Sequence, residues 1–219
     1  DNGQRVKVTI AAVAARPDRL RLAGESALTG PLLTLASDGR RFQLLDVQQN
    51  RFLDGEATPC NVARLIRVAL PVRDVVAVLF GAVGVLPNPK DVRLTWDPRP
   101  DKAPELLQLR DADGYTQRLR LRAVPTPGAA APLSYDLEEA ELLDPADKTL
   151  WRVQHQDFAE VGPRLRLPGT TYIEDPPHHA DVRLRWRERE LNPSLPDGTF
   201  QLAAPPGVPR EEAVCGGGI

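Results

Sequence analysis

The stretch "PLLTLASDGRRFQLLDV", residues 31–47, decides how the chain is read. Two apolar alternations flank Asp38-Gly39, which is the signature of a strand, a tight turn and a returning strand. Working outward, the same period of two recurs. In "RVKVTIAAVA", Val6, Val8 and Ile10 alternate with Lys7 and Thr9. "RFLDG" closes the first group. "VRLTW" at Val92–Trp96, a hairpin turning near Asp113-Gly114, the pair "LSYDLEEAEL" and "LWRVQHQDFAEV", "DVRLRWRERE" and "TFQLA" follow. That amounts to about ten to twelve short strands, the spacing of an antiparallel sheet or barrel. The 22 prolines punctuate the turns.

One motif repeats: "RLRL" at Arg19–Leu22, "RLRLR" at Arg118–Arg122, "RLRL" at Arg164–Leu167 and "RLRWR" at Arg183–Arg187. Strand alternation sends the leucines one way and the arginines the other. The leucines are expected to floor a hydrophobic surface. The arginines are expected on a wet convex side, available to anionic lipid headgroups.

Residues 58–84 break the period. Thr58 is placed to cap a helix and Pro59 to occupy its first turn. Val62, Leu65, Ile66 and Ala69 share a face. Pro71 forces a break, and a second helix follows with Val72, Val75, Val76, Leu79, Phe80 and Val83 before Gly81 and Gly84 end the run. A helix apolar on most of its circumference is normally buried. The expected fold is mainly β with short α: an antiparallel curved sheet wrapped around or covered by two or three short helices. One domain is expected over 1–205, with the helical insert at about 58–84 and a flexible tail over 206–219.

Composition narrows function. With 28 basic and 30 acidic residues the net charge is −2, which argues against a phosphate-gripping, nucleic-acid-binding protein. No apolar run is long enough to span a membrane as a helix. The two cysteines, Cys60 and Cys215, are either one disulfide in an oxidising compartment or two unrelated thiols. "DPPHHAD" reads as a Pro-rich surface loop, so no metal is expected. No nucleophile elbow, P-loop or dinucleotide fingerprint is present. The expectation is a non-enzyme without a cofactor.

The region from Leu20 to about Gly84 carries a resemblance. "LRLAGESALTGPLLTLASDGRRFQLLD" and "LPVRDVVAVLFGAVG" resemble the loop-and-hairpin region and second helix of the LolA/LolB lipoprotein-localisation family, with its outer-membrane receptor the nearer type. The resemblance implies a half-open β-barrel whose apolar cavity takes the acyl chains of lipoproteins or lipids. On that cavity it puts Leu20, Leu22, Leu35, Phe42, Leu44, Val75, Val76, Leu79, Phe80, Trp96, Leu119, Leu121, Trp151, Leu184 and Trp186. It implies a membrane-insertion loop at Leu28 and an anchoring cysteine upstream of Asp1. The partners it implies are lipoproteins and a LolA-like periplasmic carrier. It implies a monomer on the periplasmic face of the outer membrane of a Gram-negative bacterium. The alternative is an envelope structural or interaction lipoprotein that uses the same fold to bind a partner protein of an export or motility machine.

Overall fold

The computed structural model describes residues 7–26, 30–97, 103–125, 134–163 and 165–214. In chain order the elements are β1 (Thr9–Ala15), β2 (Arg19–Ser26), β3 (Gly30–Ser37), β4 (Arg41–Asp46), β5 (Arg51–Glu56), α1 (Pro59–Ile66), α2 (Val72–Leu79) and β6 (Asp91–Trp96). Then come β7 (Glu105–Arg110), β8 (Thr116–Val124), β9 (Ser134–Leu143), β10 (Thr149–Gln156), β11 (Ala159–Gly162), β12 (Leu165–Leu167), β13 (Thr170–Asp175), β14 (Ala180–Arg185) and β15 (Arg210–Ala213), with a 3-10 turn at Pro176–His178. The fold is mainly antiparallel β with short helices, as the period of two implies.

Aspartates shape the turns. Asp38 Oδ1 accepts the backbone N–H of Arg40 and Arg41 at 2.9 and 2.8 Å. Gly39 beside it sits at φ +94°, where a Cβ would also strike the Asp18 carboxyl. Those amide bonds, led by Arg41, hold the Asp38 carboxyl below its ordinary range. Asp46, Asp111 and Asp144 cap later turns in the same way.

The helices start as their residues dictate. Thr58 accepts from the Asn61 N–H at 3.3 Å, Pro59 fills the first turn, and Arg67 closes α1 in the left-handed region. Pro71 then opens the next turn by accepting from Asp74 and Val75. Val72, Val75, Val76 and Val78 of α2 are buried.

The chain divides into two compact units, residues 1–76 with 191–219, and residues 77–190. The sequence reading expected one domain ending at 205; the first unit instead uses both ends of the chain. Its sheet runs β1-β2-β3-β4-β5-β15. Leu22, Leu35, Leu44 and Leu53 face one another across four strands and are buried, with Leu20 and Phe42 in the next row.

Two corrections arise in this unit. The tail expected from residue 206 is structured over 210–213, where β15 pairs parallel to β5. Asn61, buried at the start of α1, donates to Glu56 O and Ala213 O at 2.9 and 3.1 Å and so binds β15 in place. At Gly55 a Cβ would lie 2.6 Å from Ala213 O, so only glycine lets β15 approach this closely. Secondly, the arginine side of β2 is not bare. Arg21 donates to Thr199 O, Arg19 lies over the Phe200 ring and Gln43 accepts from Leu202 N–H. Residues 199–202 thus cover this side, on which Ala36 and Phe52 are buried. Below them, burial pushes the Asp54 carboxyl up, but hydrogen bonds from Arg41 and Arg210 outweigh it and hold it low.

Cys60 is disulfide-bonded. The chain's other cysteine, Cys215, lies outside the described residues, as does Leu28.

The second unit carries the sheet β14-β13-β10-β9-β8-β7-β6, antiparallel throughout, and the two-stranded β11-β12.

Candidate functional site

The seven-stranded sheet sorts its side chains by chemistry. Paired residues in an antiparallel sheet project from the same face. One row therefore runs Val182, Ile173, Val153, Ala140, Leu119, Leu107, Leu94, with one apolar residue from every strand. The row beside it holds Trp151, Leu142, Gln117, Leu109 and Val92. On the other side lie Leu137, Leu121, Glu105 and Trp96.

Cover over this face is uneven. Leu109, Leu119, Leu137 and Ala140 form a buried cluster, with Val83 and Leu86 from the segment after α2 packed on it beside Leu107, Leu121 and Trp151. At the β6 edge the cover stops. Val92, Leu94 and Trp96 are 58, 67 and 68 % exposed on the same face. Three large apolar side chains at i, i+2, i+4 on an edge strand form a contiguous apolar strip, not scattered surface residues.

Among the polar residues on the apolar face, Gln117 and His155 each hold a specific hydrogen-bond partner. Gln117, only 1 % exposed, donates from Nε2 to Gly84 O at 2.7 Å and accepts the Leu86 N–H on Oε1 at 2.8 Å. It pins the segment that carries Val83 and Leu86 onto the sheet. His155, 2 % exposed, shares a 2.9 Å hydrogen bond between Nδ1 and Thr171 Oγ1 and meets the Phe158 ring edge-on at 6.1 Å.

Burial lowers the His155 pKa to about 4, against a smaller upward effect of the Ala82 backbone. The folded state therefore keeps a neutral ring, while the unfolded chain protonates near 6.5. Stability present above pH 6.5 is lost as the pH falls toward 4. We expect wild-type stability to drop by about 2 kcal/mol between pH 7 and pH 5, and a His155→Leu variant to lack that part of the slope. Urea unfolding at stepped pH checks it; identical slopes in the two proteins would refute it.

The opposite face is ionic. Glu174, Arg152, Glu141 and Arg118 form a continuous chain of ion pairs at 3.3, 3.1 and 3.1 Å. Arg120 pairs with Asp97 at 2.7 Å, Arg122 with Glu138, and Arg166 with Asp136 at 3.0 Å. Arg183 lies 5.0 Å from the centre of the Tyr172 ring. A polar groove of about 490 Å³ opens here, lined by Arg120, Arg122 and Arg166 together with Asp136, Glu138 and Glu139. Its guanidiniums are each matched by a carboxylate. The headgroup surface expected of the arginines in "RLRLR" is thus a charge-balanced lattice, because β9 supplies an acid opposite each of them.

No family model and no curated protein matches the sequence. Among solved structures, a LolA superfamily protein from Nitrosomonas europaea is similar over 89 % of this chain and 81 % of its own, at TM-score 0.53 and 13 % identity. The fold is LolA-like. A putative outer membrane lipoprotein-sorting protein domain from Vibrio parahaemolyticus gives TM-score 0.48 at 9 % identity, over 88 % of this chain and 80 % of its own.

Within this LolA-like chain the residues proposed for the cavity separate into groups. Leu20, Leu22, Leu35, Phe42, Leu44, Val75 and Val76 are buried in the first unit. Leu79 and Phe80 are half-buried where α2 ends. Leu119, Leu121, Trp151 and Leu184 share the apolar face of the seven-stranded sheet with exposed Trp96. Trp186 lies just past β14, its backbone N–H bonded to Gly169 O and its ring 4.7 Å beneath the Arg189 guanidinium. Val92, Leu94 and Gln117 were missed as site residues. Period-two alternation from Val92 through Leu94 to Trp96 was the signal for the first two.

Proposed function

We propose that this LolA-like protein holds the acyl chains of lipoproteins or lipids on the apolar face of the seven-stranded sheet. It works by binding alone, on the periplasmic side of the outer membrane, where it receives lipoproteins or inserts them. The observation that carries the reading is the exposed apolar strip of Val92, Leu94 and Trp96 at the β6 edge, where Leu94 ends the row that crosses all seven strands. An acyl chain laid along it gains about 0.8 kcal/mol per CH₂ removed from water. The fold supports the reading, since the similar structure from Nitrosomonas europaea is a LolA superfamily protein.

The test is displacement of a fluorescent fatty-acid probe, followed by mixing with a carrier loaded with triacylated lipoprotein. Saturable, competable binding and movement of lipoprotein onto this protein are expected. Absence of saturable binding would overturn the acyl-chain reading; binding without movement would overturn the receiving role.

A further inference from the structure

One residue on the apolar face has no place in a purely hydrophobic surface. Glu105 opens β7, directly opposite Trp96 on β6 and Leu121 on β8. Apolar residues therefore flank its side chain on both neighbouring strands. Its Oε2 is buried without a hydrogen-bond partner among the described residues. Arg122, which feels the charge of Glu105, gives its own hydrogen bonds to Glu138. A carboxylate oxygen withheld from water and given no donor costs free energy unless some ligand supplies one. Rotation about the last side-chain torsion of a glutamate is soft, so either oxygen turns toward the open β6 edge at low cost.

We infer that Glu105 selects among acyl ligands by accepting a hydrogen bond from a nitrogen-borne N–H at the head of the chain. The ligand class is an acyl or alkyl chain that ends in an amide or an ammonium. A free fatty acid is disfavoured, because its carboxylate would meet that of Glu105 beside Trp96. This rests on the acyl-chain reading of the face and names the chemistry at its polar end. The apolar strip of Val92, Leu94 and Trp96 takes the chain, and Glu105 in the Trp96 row takes the head.

The experiment uses three probes of equal chain length on the intact protein: dodecylammonium, the neutral amide N-dodecanoylglycinamide, and dodecanoate. In the wild type the two N–H probes should bind about tenfold more tightly than dodecanoate. Glu105→Gln should bring the ammonium and dodecanoate within about twofold of each other. Glu105→Leu extends the apolar row; it should keep dodecanoate binding or improve it while losing the preference for the amide. Dodecylammonium alone favoured would show that charge, not the hydrogen bond, is read, and would overturn the inference. So would equal affinities in the wild type, or a preference that survives both substitutions. Failure of all three probes to bind would instead remove the acyl-chain reading itself.

Discussion

A Leu94→Asp, Trp96→Asp double variant will keep its fold and bind acyl chains at least about a hundredfold more weakly. Both side chains are about two-thirds exposed, so their loss removes little that the folded state relies on. The sheet edge keeps its pairing, because Leu94 and Trp96 hold register with Leu107 and Glu105 through the backbone. A bound chain, by contrast, would desolvate two carboxylates with no partner to satisfy them. Titration with a fluorescent fatty acid, alongside urea unfolding, reads both halves of the expectation. Unchanged affinity with unchanged stability would place the acyl-binding surface elsewhere on the molecule.

Gln117→Leu is expected to destabilise the second unit by about 2–4 kcal/mol, although it replaces a polar residue in an apolar row by an apolar one. The leucine fills the space. It leaves the Leu86 N–H and Gly84 C=O without the amide that satisfies both. Val83 and Leu86 ride on that segment and pack on Leu109, Leu119, Leu137 and Ala140, so loosening it also uncovers the cluster. Chemical unfolding gives the magnitude. Hydrogen exchange locates it: protection of the Leu86 amide should collapse in the variant. A stability within about 0.5 kcal/mol of wild type would mean that water replaces the glutamine at no cost.

Much of this was legible in the residues. Asp38-Gly39 and Asp113-Gly114 marked their turns because an aspartate that bonds forward, Asp38 in the first and Asp111 in the second, and a glycine at positive φ leave few alternatives. Thr58-Pro59 marked the start of α1 for an equally local reason. The leucines of "RLRL" were assigned their side by period alone. The partners of the arginines were not, since Glu141 and Glu139 come opposite Arg118 and Arg120 only once β8 and β9 pair. Nor could alternation show that residues 199–202 return to cover the arginine side of β2, over 170 residues away in sequence.

The candidate site divides along the same line. That Val92, Leu94 and Trp96 share a face follows from the sequence, because a strand alternates whatever it pairs with. That they stand exposed at an edge, with Leu94 in line with Leu107 and Leu119, follows only from the order of strands in the sheet. Likewise Glu105 and Gln117 read as ordinary polar residues of alternating strands. Tertiary pairing put both on the apolar face, one bound by the backbone of the segment above it and one with an oxygen unsatisfied. Local sequence determined the strands, turns and helix starts, because those depend on neighbours within a few residues. Burial, ion pairing and the exposed end of the apolar row depend on strands distant in the chain, and only the folded structure brings them together.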